Sequence, residues 1–144
     1  MKINIYLNFN GNCAEAFDFY KTIFEREYNS ISKYKDMPPI EDVLIADEHK
    51  EKILHISLPL NNNFVLMGCD YVEGLGAPLV EGNNFSISIA VEGKDEADKH
   101  FNALTTGGQV VMPMGMTFWG SYFGMTIDKF GISWMISFEE KNEK

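Results

Sequence analysis

Positive charge is scarce in this chain. Against 21 aspartates and glutamates stand 12 lysines and arginines, a formal net charge of -9 over 144 residues. Such a surface repels phosphate backbones and anionic bilayers, so neither nucleic acid nor a membrane is expected as a partner. Long apolar runs are also missing, and no stretch approaches the ~18 residues of a membrane span. The start, Met1-Lys2-Ile3-Asn4-Ile5, runs into a strand pattern with no basic region followed by an apolar run. Export is therefore not expected, and the chain reads as cytoplasmic. Cysteine is limited to Cys13 and Cys69, which without an export signal read as reduced thiols rather than a disulfide. The length suits one domain with a core that buries roughly two-thirds of the unfolded surface. What the chain has in quantity is methionine (8), tyrosine (6) and phenylalanine (11), a soft, aromatic interior that suits a plastic core or a broad apolar pocket.

Ile3, Ile5, Leu7 and Phe9 alternate with polar residues and Tyr6, the period of a strand with one apolar face. Asn12 stands three residues before Glu15, an expected capping pair, and Ala16, Phe17, Tyr20, Ile23 and Phe24 recur at helical spacing up to an end near Glu25 to Glu27. The order repeats after residue 84. Phe85 to Val91 alternates as a strand, Asp95 and Asp98 can cap a helix carrying Ala97, Phe101 and Leu104, and Gly107-Gly108 offers a left-handed stop. Each helix precedes a hairpin. The first is Ile53 to Leu60 and Phe64 to Gly68 across Asn61-Asn62-Asn63; the second is Trp119 to Ile127 and Ile132 to Phe138 across Asp128 to Gly131, with Gln109 to Met112 ahead of it. The fold class is thus α+β, two βαβββ modules at residues 2–70 and 84–140 joined by a glycine- and proline-containing linker at 71–83. The stretch from Tyr34 to Lys52 reads as loop, with Val43 to Ala46 a candidate short strand.

With the helices on one face, the other face of each sheet is left to curl around a shared cavity. If Leu54, Ile56, Leu58 and Leu60 pack under a helix, alternation turns His55 and Ser57 the opposite way. The same rule places Tyr6, Asn8, Met67, Ser86, Ser88, Met135 and Ser137 on the open faces.

The run Tyr6-Leu-Asn-Phe-Asn-Gly-Asn-Cys-Ala-Glu-Ala-Phe-Asp-Phe-Tyr20, the segment Tyr34-Lys-Asp-Met-Pro38, and Thr117-Phe-Trp-Gly-Ser-Tyr-Phe-Gly124 with Asp128-Lys-Phe-Gly-Ile-Ser-Trp-Met-Ile136 resemble the PhnB-like branch of the glyoxalase, bleomycin-resistance and dioxygenase (vicinal oxygen chelate) superfamily. Members of that branch often carry the label 3-demethylubiquinone methyltransferase. The resemblance spans residues 2 to 140 and implies paired βαβββ modules, commonly in a two-fold homodimer. It also implies where a divalent ion would sit in the superfamily's enzymes: one ligand early in each module and one in the last strand of each. Those positions are Tyr6 or Ile5, Ser86, Met67 and Met135, and their neighbours Asn4 to Leu7, Leu66 to Gly68, Phe85 to Ile87 and Trp134 to Ile136 contain no His, Asp or Glu. Divalent ions of this chemistry take imidazole and carboxylate, so no metal and no cofactor is expected. Methyl transfer is not expected either. Asn10-Gly11-Asn12 is too short for a nucleotide-binding glycine turn, and the later strands are hairpins.

The remaining candidates are His55, a base or a hydrogen-bond partner for a ligand oxygen; Phe118, Trp119, Tyr122 and Phe123, flanked by Gly115, Gly120 and Gly124, as a pocket wall or a dimer interface; and Tyr34 with Asp36 as a lid ahead of Met37-Pro38-Pro39. His49 and His100 read as surface residues, and Cys69 as structural. The leading expectation is a protein that binds a small apolar or aromatic molecule in a metal-free cavity. Its competitors are a lyase, isomerase or dioxygenase using a displaced metal site or His55, and a structural homo-oligomer with no small-molecule role.

Overall fold

The computed structural model describes residues 1–139. The chain divides into two compact units, Met1–Val80 and the part from Glu81 onward, and each is one helix against one four-stranded sheet.

In module 1, strand β1 (Ile5–Phe9) leads to helix α1 (Cys13–Phe24). The sheet is completed by β2 (Ser30–Lys33), β3 (Ile53–Pro59) and β4 (Val65–Asp70), in the order β1-β4-β3-β2. β1 and β4 run parallel and the other pairs antiparallel. Leu7 and Phe9 of β1, Ala16, Phe17 and Tyr20 of α1, and Ile56, Leu58 and Leu66 of the sheet are all buried, with Phe17 edge-on to Phe9 at 6.2 Å and to Tyr20 at 5.7 Å. The helix lies close to the sheet: a Cβ at Gly68 would sit 2.7 Å from the Phe17 ring and 2.9 Å from the Leu7 carbonyl oxygen.

Three local expectations are corrected. The Asn12–Glu15 capping pair does not form, since the Asn12 side chain makes no cap bond and the Cys13 N–H goes instead to Asp70 Oδ1 at 2.9 Å. The second strand is Ser30–Lys33, whereas Val43 to Ala46 forms no strand; Val43 takes part only in an isolated bridge with Ile40. Finally, β3 carries a bulge, because Ser32 faces His55 and the next residue, Lys33, faces Ile53. The skipped residue shifts the alternation, so that Ile53, Ile56 and Leu58 are buried while Leu54 and Leu60 are only half-buried.

Module 2 has β5 (Ile87–Val91), α2 (Lys94–Thr105), β6 (Gln109–Met116), β7 (Ser121–Ile127) and β8 (Ser133–Glu139), in the order β5-β8-β7-β6 with β5 and β8 parallel. The tandem βαβββ architecture follows directly. Phe101 and Leu104 of α2 and Ile87, Trp134 and Ile136 of the sheet are buried in the core of this module. α2 starts from Gly93 without a side-chain cap, so Asp95 lies inside the first turn, where its charge favours the helix N-terminus, and Asp98 accepts the Tyr122 hydroxyl. Gly107 takes the left-handed conformation just past the end of α2. One exchange relates the two cores. The cross-strand pair Ile56–Gly68 in module 1 becomes Gly124–Ile136 in module 2, each glycine making room for a helix phenylalanine, Phe17 or Phe101. No helix among the described residues is long and apolar enough to cross a membrane.

Candidate functional site

Register brings the expected site residues into rows on the sheet faces opposite the helices. In module 1 one row runs Ser30, Ser57, Met67, Tyr6 across β2, β3, β4 and β1. Its counterpart in module 2 runs Met112, Met125, Met135, Ser88 across β6, β7, β8 and β5. Ser88 is therefore the partner position of Tyr6. Ser86 was expected there but precedes β5 and is exposed, because pairing with β8 sets the register and that pairing begins at Ile87. The rows contain phenol, hydroxyl and thioether groups and neither imidazole nor carboxylate. No group of three or more His, Cys, Asp or Glu that could hold a metal occurs among the described residues. The donor set does not fit the divalent ion of the wider superfamily.

The next row of module 1 is polar. Asn8 pairs with Cys69 and Ser32 with His55. The Tyr6 hydroxyl and His55 Nδ1 are 3.3 Å apart, with ring centroids at 5.7 Å, and the Cys69 thiol donates to Asn8 Oδ1 at 3.3 Å. Burial of the hydroxyl, reinforced by Cys69, pushes the Tyr6 pKa well above that of a free phenol. Burial likewise raises the Cys69 thiol, opposed in part by its hydrogen bond with Tyr6. Both groups stay protonated at neutral pH. Ser57 is buried and Met67 half-buried beside them.

Tyr34 and Asp36, expected in a lid, occupy the turn that follows β2, with Tyr34 close enough to Tyr6 and Cys69 to act on them electrostatically. Tyr34 is buried, and its hydroxyl donates to the Asp70 backbone carbonyl at 2.7 Å; Asp36 Oδ2 accepts the Lys33 N–H at 3.0 Å and closes a single 3₁₀ turn at Tyr34–Asp36. Two residues that sequence reasoning passed over organise these surroundings. Asp70 is buried, with Oδ1 on the Cys13 N–H and Oδ2 on the Ile53 N–H, both at 2.9 Å, so one carboxylate ties the start of α1 to β3 and β4. Asp128 is buried too, accepting the Phe130 and Ile132 N–H groups and the Trp134 indole N–H, the last at 2.8 Å. The signal for Asp128 was present in its Asp-Lys-Phe-Gly turn. Asp70 offered little beyond an acidic residue ending an apolar strand.

The open face of module 2 is dominated by methionine and aromatic side chains, with Ser88 and Ser137 among them. Phe123 stands two residues before Met125, as His55 stands two before Ser57, and it pairs with Ser137 and Gly115. Trp119 meets Phe123 edge-on at 5.9 Å and Phe118 at 5.0 Å. The turn that presents them is well tied: the Thr117 N–H donates to the Ser121 carbonyl at 2.9 Å, Thr117 Oγ1 accepts the Ser121 N–H, and Gly120 supplies the positive φ. Trp119 is 56% exposed and Phe118 98%, whereas Met125 and Met135 are half-buried. Tyr122, by contrast, points to the helix side, where Lys94 lies over its ring. A surface hollow lined by Asp18, Lys21, Thr22, Glu25, Arg26 and Glu27 belongs to the α1 side of module 1 and shares nothing with either open face.

Comparison with solved structures agrees with this architecture. Protein PA1353 from Pseudomonas aeruginosa is 39% identical, with a TM-score of 0.83 over 98% of this chain and 99% of that one. A PhnB protein from Bacillus cereus is 27% identical, with a TM-score of 0.75 over 96% and 99%. At 13% identity a glyoxalase/bleomycin resistance protein/dioxygenase family enzyme from Burkholderia phytofirmans still reaches a TM-score of 0.62 over 95% and 97%, a likeness of fold. Residues 1–137 match the model of the family described as 3-demethylubiquinone-9 3-methyltransferase, and the chain belongs to that family, built on the glyoxalase and bleomycin-resistance fold.

Proposed function

We propose that this protein binds a small, uncharged aromatic or apolar molecule, in the cytoplasm and without a metal ion, on the open face of module 2. The observation that carries the reading is the edge-on chain Phe118, Trp119, Phe123 next to half-buried Met125 and Met135. Edge-on aromatics and adaptable thioethers suit an apolar guest. The reaction in the family's description finds no support in the sheet order. Each sheet has one parallel pair and two antiparallel ones, unlike the parallel sheet and glycine-rich turn that hold a methyl-donor nucleotide.

The two tryptophans make the test direct. With 15N-labelled tryptophan, toluene should shift the Trp119 indole resonance saturably and leave Trp134 unmoved, since Trp134 is fully buried and bonded to Asp128. Phe123→Ala should weaken the effect about threefold to tenfold, the loss of one aromatic contact. No shift at Trp119 up to the solubility of toluene would refute the reading.

A second reading is favoured by one specific observation. Val110, Val111, Met116 and Phe118, on or next to the edge strand β6, are exposed together, the residue types of an interface between two copies. If a homodimer uses them, Phe118→Ser with Trp119→Ser should convert the sedimenting species to monomer.

A further inference from the structure

We infer that Tyr6, His55 and Asn8, on the open face of module 1, form a second binding site that takes the uncharged carbonyl oxygen of a small molecule. The inference does not rest on the reading of module 2. Asn8 spends its side-chain carbonyl on the Cys69 thiol, which leaves the amide N–H groups to donate outward. Tyr6 and His55 add a further donor. If the phenol donates to His55 Nδ1, the ring keeps its proton on Nε2 for a ligand; if Nδ1 carries the proton and donates, the phenol O–H is shared between the Cys69 sulfur and a ligand. Donors in excess call for an acceptor.

Charge selects which acceptor. Among the described residues no lysine or arginine is hydrogen-bonded or ion-paired to Tyr6, Asn8, His55 or Cys69, and the chain carries a formal net charge of -9. A carboxylate or phosphate would be desolvated here without a counter-ion, whereas a ketone or amide oxygen would not. Burial also keeps the phenol in its neutral, donating form. Tyr6 is 43% exposed and His55 half-buried, so a ligand can reach both, and Met67 supplies an apolar surface for the rest of the molecule.

Acetophenone and benzoate share a ring and differ in the charge on the oxygen, so they separate the possibilities. In the full chain with 15N-labelled histidine and tryptophan, acetophenone should shift the His55 imidazole resonances saturably, and benzoate should bind at least tenfold more weakly. Tyr6→Phe and, separately, Asn8→Ala should each weaken acetophenone about threefold to tenfold, the loss of one hydrogen bond. An undisturbed Trp134 indole resonance reports that each variant is folded. Equal binding of benzoate, an equal effect of toluene on His55, no His55 shift with acetophenone, or full affinity in both variants would each overturn the inference. Because module 2 is read at Trp119 in the same spectra, failure of one site is distinguishable from failure of the other.

Discussion

Replacing Asp70 by Asn should destabilise module 1 substantially, and more than removing the neighbouring Tyr34 hydroxyl. The wild-type carboxylate accepts two backbone N–H groups in a buried setting, from Cys13 and Ile53, each at 2.9 Å. An amide of the same shape keeps one acceptor and turns an NH2 toward the other N–H, so one hydrogen bond is lost and two donors are left facing each other. A hydrogen bond to a charged group contributes ~1.5–3 kcal/mol net, and a buried unsatisfied donor costs ~1–3 kcal/mol. Allowing for relaxation, the expected loss is about 2–4 kcal/mol, a large share of the ~5–15 kcal/mol that holds a typical domain. Urea unfolding should show the midpoint falling by ~1–2 M at the slopes usual for small proteins. Native-state hydrogen exchange should quicken first at Cys13 and Ile53. Tyr34→Phe is the control, since it removes only the 2.7 Å bond to the Asp70 carbonyl and should cost ~0.5–1.5 kcal/mol. An Asp70→Asn midpoint indistinguishable from wild type, or a loss no larger than that of Tyr34→Phe, would refute the claim that this carboxylate ties α1 to the sheet.

Other consequences follow from packing and charge. Gly68→Ala places a methyl group within 3 Å of the Phe17 ring and the Leu7 carbonyl, and thermal unfolding should show a loss of ~1–3 kcal/mol from overpacking. Glu51, bonded to Lys33 and Lys35, has its carboxyl lowered to about 2. Because the folded value is depressed, its contribution is complete above the ordinary value of 4.5 and drains away as the pH falls through about 2. A carboxyl NMR titration should record that low value and its return toward 4.5 in Lys33→Met, Lys35→Met. The thiols should separate kinetically under iodoacetamide. Cys69, half-buried with a raised pKa, should react slowly in the native protein, and fully buried Cys13, raised by burial and by Asp70, only on unfolding.

The fold was legible in the sequence wherever an element is long and amphipathic. β1, both helices and both hairpins announce themselves through alternation, helical spacing and turn residues. What escaped were features set by partners distant in the chain. β2, Ser-Ile-Ser-Lys, has one apolar residue and lies at a sheet edge, so no periodicity marks it. Val43 to Ala46 looked more like a strand by composition but finds no ladder. The bulge that demotes Leu54 and the register that exchanges Ser86 for Ser88 are properties of pairing. Of the candidate site, the aromatic turn and the polar residues of module 1 could be named from sequence. That Tyr6 meets His55 while Tyr34 is pinned under Asp70 could not, since those contacts join residues 49 and 36 positions apart.

The central claim is that an uncharged aromatic or apolar guest, and not a divalent ion, occupies the open face of module 2. A crystal structure of protein purified without chelators or affinity metals and soaked with toluene tests it most directly. The expected result is a ring against Phe123, Met125 and Met135 with no metal density at Ser88 and Met135. A coordinated ion there, or a face filled by the protein's own side chains with no room for the ring, would contradict it.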